Sequence, residues 1–154
     1  RNVHLFYRDR RYYTDRNIWL DGIMGVVVGD ALSCPAQFES REYLKNREDG
    51  PVVGMEGYGT YNMPEGTWTD DSSMALATLD SIRCCDGIDL DDIMKRFVEW
   101  DLHGKYTLFG DAFDQGNICT VAIINYQRNG DPYACGGNTE HSNGSCINTK
   151  EVDP

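Results

Sequence analysis

No uninterrupted run of 18 or more apolar residues occurs in the chain, and a membrane-spanning helix needs about that length, so no span is expected. The opening stretch Arg1-Asn-Val-His-Leu-Phe-Tyr-Arg-Asp-Arg10 lacks the apolar core of a secretory leader. An initiator methionine is missing too, as in a processed or excised piece. Basic residues are scarce: 14 Lys and Arg against 25 Asp and Glu leave a net charge of −11. That field is the reverse of the basic footprint nucleic-acid binding requires, and it suits a cation site as well as plain solubility. The six cysteines contain no C-x-x-C, Cys84 and Cys85 are adjacent, and four of the six lie in apolar or helix-like segments. Such a pattern predicts buried thiols in a reducing cytoplasm rather than disulfides. Internal repeats and hairpin signals are absent as well.

What is present fits one domain. A chain of 154 residues, 40% apolar and 25% charged, can bury a single core. Ile18, Ile23, Met24, Val27, Val28 and Ala31 form a helical stripe over 17–33, stopped by Pro35. Gly22, Gly25 and Gly29 share one side of it; each weakens a helix by roughly 1 kcal/mol, so close approach of another helix or a ligand is expected there. Residues 33–68 are punctuated by Gly and Pro and read as a long functional loop. Helical spacing resumes over 71–86 (Met74, Ala77, Thr78, Ser81, Ile82, Cys85). It continues over 90–103, where Asp89 can cap, and over 112–128. The class is all-α, with residues 1–16 as an extension, 17–146 as the domain and 147–154 as a tail.

Four places could carry chemistry. In Gly66-Thr-Trp-Thr-Asp-Asp-Ser-Ser-Met74, Thr69, Asp70 and Asp71 enter a helix. They can cap it, satisfying orphan N–H groups and facing the dipole. They can equally hold Mg²⁺ or Mn²⁺, hard cations that take oxygen ligands and keep waters. Asp30, late in the glycine-rich helix, is either poised against a partner or a satisfied structural carboxylate. Asp114 in Phe113-Asp-Gln-Gly-Asn117 reads first as the N-cap of the fourth helix. Ser142-Asn-Gly-Ser145 reads as a turn able to present N–H groups to a phosphate. His4, His103 and His141 have no ligand-spaced partners, and no serine or cysteine has a recognisable base.

Gly25-x-x-x-Gly29-Asp-Ala-Leu32 with Pro35, Gly66-Thr-Trp-Thr-Asp-Asp-Ser-Ser-Met-Ala75, Ala112-Phe-Asp-Gln-Gly-Asn117 and Ser142-Asn-Gly-Ser145, in that order, resemble the ADP-ribosylglycohydrolase family. The resemblance implies the N-terminal half of an orthogonal multi-helix domain that hydrolyses the bond joining ADP-ribose to a protein or small-molecule acceptor, using a pair of Mg²⁺ or Mn²⁺ ions. It makes Thr69, Asp70 and Asp71 metal ligands. It assigns Asp114, Gln37 and Asp30 to catalysis, with Asp114 at the ribose end of the cleft, and Asn117, Asn143, Gly144 and Ser145 to substrate binding. Such hydrolysis passes through an oxocarbenium-like state that a carboxylate stabilises while water attacks. Two cations about 3.5–4 Å apart can orient the ribose hydroxyls and lower the pKa of that water.

This chain departs from the family pattern at Ser33, commonly Gly, and at Gln37, commonly Glu; an amide cannot transfer the proton. After Ser145 it reads Cys146-Ile-Asn-Thr-Lys150 instead of an apolar Leu-Met-Arg segment, and the acidic Gly-Asp-x-Asp-Ser/Thr motif that completes the metal site does not occur. The expectation is therefore an incomplete enzyme, paired with a complementary C-terminal half or a second copy. The rival is a non-catalytic module that binds a divalent cation or ADP-ribose.

Overall fold

The computed structural model describes residues 18–48 and 50–137. The 1–16 extension, the 147–154 tail and the candidate loop Asn143, Gly144 and Ser145 lie outside the described residues. Among the described residues five α-helices follow one another: α1 Ile18–Ser33, α2 Arg41–Lys45, α3 Asp70–Cys85, α4 Leu90–His103 and α5 Asn117–Asn129, with a 3₁₀ turn at Cys34–Ala36. No β-strand occurs among the described residues, and the domain is all-α.

The core forms where α3, α4 and α5 meet. Helix α4 supplies Ile93, Met94, Phe97 and Trp100, spaced so that all four face inward, while α3 adds Ala77 and α5 adds Ile123 and Tyr126. Trp100 and Ile123 are fully buried. Burying a side chain such as Phe97 or Ile123 stabilises the fold by on the order of 1.5–3 kcal/mol. Polar links reinforce the same contact: Arg96 of α4 pairs with Asp80 of α3 and, at 2.5 Å, with Asp92 of its own helix.

The ends of α4 follow the sequence signals. Asp89 Oδ1 accepts from the Asp91 and Asp92 N–H groups at 3.0 Å each, satisfying two donors that the helix cannot. Gly104 closes the helix at φ +61, and a Cβ there would stand 1.9 Å from the Gly110 carbonyl oxygen, so only glycine fits. The short helix α2 lies inside the region expected to be loop. Its signal was a single cap, Ser40 Oγ accepting from the Tyr43 N–H at 3.1 Å.

Several expectations are corrected. The last helix starts at Asn117, not 112: Asp114 sits at φ +65, which breaks helical geometry, and Gly116 rather than Asp114 occupies the N-cap position. No described atom would come within 4 Å of a Cβ at Gly22, Gly25 or Gly29, so nothing described packs closely on that glycine face. Helix α1 instead leaves Ile18, Trp19, Leu20, Met24, Val26 and Val28 exposed. By length and composition Ile18–Ala36 is also a candidate membrane span, with 19 residues and a mean hydropathy of 1.3. Asp21 and Asp30 interrupt its apolar run and hid it from a run-based reading. Finally, Cys34 and Cys135 are buried thiols as expected, but Cys84 and Cys85 are exposed at the end of α3.

Candidate functional site

The site begins with a carboxylate that crosses between helices. Asp30, buried near the end of α1, reaches the start of α3 and takes four hydrogen bonds. Its Oδ2 accepts from the Thr69 N–H at 3.0 Å, the Ser72 N–H at 3.0 Å and the Ser72 hydroxyl at 2.6 Å. Its Oδ1 accepts from the Thr69 hydroxyl at 2.7 Å. The N-terminus of α3 is thus capped from another helix, and the Thr69 hydroxyl does not perform the local capping that the sequence allows. With both oxygens engaged, Asp30 positions the turn. The hydroxyl of Ser33, one helical turn on, bonds the Asp30 carbonyl at 2.9 Å.

That cap leaves the acids of the turn free for other work. Asp71 is exposed and Asp70 half-buried. Burial first, then the charges of Asp114 and Asp71, push the Asp70 carboxyl up to about 6, against hydrogen bonds from Thr69 and the backbone that pull it down. Three carboxylates from two separate segments therefore share one neighbourhood, and none of them forms an ion pair among the described residues.

Asp114 is delivered by the stretch between α4 and α5. Gln115 Nε2 donates to Asp101 Oδ1 of α4 at 3.1 Å and ties that stretch down. At its left-handed φ, Asp114 receives the Gln37 amide on Oδ2 at 3.0 Å and the Tyr61 hydroxyl on Oδ1. Burial and the Asp114 carboxylate hold the Tyr61 phenol well above its usual range, so it stays a donor. The loop bearing Tyr61 is held against the 3₁₀ turn by the Thr60 N–H on the Pro35 carbonyl at 3.2 Å and the Thr60 hydroxyl on the Gln37 carbonyl at 2.6 Å. A Cβ on Gly59 would stand 1.9 Å from that Pro35 oxygen, so the approach depends on glycine. Phe113 and Phe38 flank the Tyr61 ring, with centroids 5.1 and 6.4 Å away.

The structure therefore brings together Asp30, Gln37, Thr69, Asp70, Asp71 and Asp114. Asn117 lies exposed on the first turn of α5, just beyond Asp114. Tyr61 and Ser72 were missed by sequence reasoning: Tyr61 belongs to no spaced motif, and Ser72 reads as an ordinary helix residue until Asp30 is seen to reach it. A cavity of about 360 Å³ opens beside the acids, lined by Asp70, Asp71, Met74, Phe97 and Cys119. A larger one, about 740 Å³, lies around Tyr43, Arg47 and Glu56 and touches none of the predicted site residues.

The donor set suits a hard divalent ion only in part. Thr69, Asp70 and Asp71 offer oxygen ligands of the right kind, and the repulsion among Asp70, Asp71 and Asp114 is what a cation would relieve. Among the described residues, however, no group of three or more His, Cys, Asp or Glu is arranged to hold a metal by itself. An ion bound here would keep several waters or draw ligands from elsewhere.

A family model for ADP-ribosylglycohydrolase matches residues 13–150. The chain is 32% identical over 118 residues to ADP-ribosylarginine hydrolase Tri1 of Serratia proteamaculans (strain 568), a match covering 77% of this chain and 30% of that protein. It is 33% identical over 132 residues to the enzyme of the same name from Pseudomonas putida (strain GB-1), covering 81% and 32%. With ADP-ribosyl-(dinitrogen reductase) glycohydrolase of Rhodospirillum rubrum the identity is 28% over 128 residues, covering 83% and 41%. A solved structure described as an ADP-ribosylglycohydrolase-related protein complex superposes with a TM-score of 0.56 at 30% identity, covering 77% of this chain and 35% of that one. The chain spans about a third of the length of the first two relatives, less than the half expected from its motifs. Over the part they share, this chain belongs to the ADP-ribosylglycohydrolase family.

Proposed function

We propose that this chain contributes the acidic wall of an active site that hydrolyses the glycosidic bond between ADP-ribose and an acceptor. The observation that carries the reading is the Thr69–Asp71 turn, built by Asp30 from another helix and facing Asp114. Each residue has a distinct task. Asp30 fixes the backbone of the turn; Asp70 and Asp71 supply anionic oxygens and Thr69 a neutral one. Asp114, oriented by Gln37 and Tyr61, presents a carboxylate toward the sugar, where it stabilises positive charge developing at the anomeric carbon. A bound Mg²⁺ or Mn²⁺ would supply orientation of the ribose hydroxyls and acidification of the attacking water. The substrate class is an ADP-ribosylated protein or small molecule, and Asn117 with Asn143, Gly144 and Ser145 would receive the ADP-ribose.

One observation favours a second reading. The Gln37 amide donates to Asp114 where the family commonly places a carboxylate, and an amide cannot shuttle a proton. The site would then bind a cation or ADP-ribose without turnover.

The test grafts residues 18–137 in place of the matching segment of the Serratia relative and measures release of ADP-ribose from ADP-ribosylarginine with Mg²⁺. The first reading expects metal-dependent hydrolysis that disappears with Asp70→Ala plus Asp71→Ala. A folded chimera that binds ADP-ribose but does not release it supports the second reading, and one that hydrolyses equally well without both acids contradicts both. The 154-residue chain on its own should be at least about 10²-fold slower than the chimera, since small misplacements of catalytic groups have effects of that size.

A further inference from the structure

The turn that carries the acids is held at a second point, by a residue far along the chain. After α4, Tyr106 adopts φ +70, a left-handed conformation that is costly for a bulky residue and persists only where its surroundings enforce it. Its side chain and its carbonyl show what enforces it and what it serves. The hydroxyl donates to Asp80 Oδ2 at 2.9 Å and accepts from Arg96 Nη1 at 3.0 Å, inside the ion-pair node that joins α3 to α4. Lys105 Nζ lies 5.1 Å from the Tyr106 ring centroid. The carbonyl accepts the Trp68 indole N–H at 3.0 Å and sits 3.3 Å from the Ser73 hydroxyl, which also donates to the Thr69 carbonyl at 2.9 Å. Trp68 immediately precedes Thr69, Asp70 and Asp71, and Ser73 follows them with Ser72 between.

We propose that Tyr106 is a positioning residue for the acid turn: anchored through its hydroxyl in the Asp80–Arg96 node, it aims its backbone carbonyl to fix Trp68 and Ser73. Asp30 holds the backbone N–H groups of the turn, and Tyr106 holds the residues on either side of it. The α3–α4 packing node is thereby wired to the place where the carboxylates converge. The metal arm of the inference rests on the cation reading above; the structural arm does not.

Tyr106→Phe removes the hydroxyl and leaves the carbonyl, and two readouts separate the arms. The first is hydrogen exchange of the Trp68 indole N–H by NMR, with the indole of Trp100, fully buried in the core, as internal reference. The second is Mn²⁺ affinity by electron paramagnetic resonance. Loss of the two hydrogen bonds that anchor the hydroxyl should speed Trp68 exchange by about 5–10-fold and weaken Mn²⁺ by a similar factor, with helicity and Trp100 exchange unchanged. Arg83→Ala, which removes an exposed partner of Asp80, should change neither. Should Tyr106→Phe lose helicity, Asp80→Asn is read in the same way. Unchanged Trp68 exchange in a folded variant overturns the positioning role, as does equal acceleration at Trp68 and Trp100, which would mean general loosening. A wild-type chain that binds no Mn²⁺ overturns the cation reading alone, and Trp68 still decides the role of Tyr106.

Discussion

Helices α1 and α4 are nearly equal in length, 16 and 14 residues, and do opposite jobs. Helix α4 has a polar face, a side-chain cap and four buried apolar residues, and the core is built on it. Helix α1 is apolar almost all round, carries three glycines and buries only Asp30 and Ala31. Among the described residues, a carboxylate joins α1 to the start of α3 through the hydrogen bonds of Asp30 to Thr69 and Ser72. Helix α4 is selected by packing and α1 by what it delivers. A hydrophobic helix whose best-buried polar group caps another helix is a device for building the acid turn.

Trp100→Ala should cost about 3–5 kcal/mol in urea unfolding, the range for emptying a large aromatic from a core. If that loss is below about 1 kcal/mol, α4 is not the centre of the fold. Asp30→Asn keeps one acceptor and should cost about 1–3 kcal/mol, because buried donors on Thr69 and Ser72 lose their partner. Its signature is local, with faster amide exchange at Thr69 and Ser72 and little change in α4. Uniform destabilisation would mean that α1 is held by packing after all.

The α3–α4 node makes a prediction in acid. A hydrogen bond from Arg83, then one from Tyr106 and the charge of Arg96, lower the Asp80 carboxyl from an ordinary 3.8 to about 2. A carboxyl depressed in the folded state stabilises fully above its unfolded value and loses that contribution as pH falls from about 4 toward 2. Asp80→Asn should therefore flatten the acid limb of the stability curve between those values. An acid limb as steep as that of wild type would remove Asp80 from the account. The smallest effect belongs to the open face of α1: Val26→Ala and Val28→Ala should each shift stability by no more than about 0.5 kcal/mol.

The all-α class and α4 in particular were legible, because periodic apolar spacing, Asp89 and Gly104 all act locally. The acid turn was legible as a place but not as a structure. Thr69, Asp70 and Asp71 stood out together, yet the cap comes from Asp30, 39 residues away, and no local rule reports a long-range partner. Asp114 resembled an N-cap because isolated aspartates before helices usually are; its left-handed backbone and its bonds to Gln37 and Tyr61 appear only when three segments meet. The glycines of α1 suggested close packing that the described residues do not provide.

Divalent-cation binding at the Thr69–Asp71 turn is a proposal that titration calorimetry with Mn²⁺ decides. The wild-type chain should bind weakly but measurably, as expected of a site with few anionic ligands and several retained waters, and Asp70→Ala plus Asp71→Ala should abolish the binding. Equal heats for the wild type and the folded double variant would contradict it, leaving the turn as a capped helix end and nothing more.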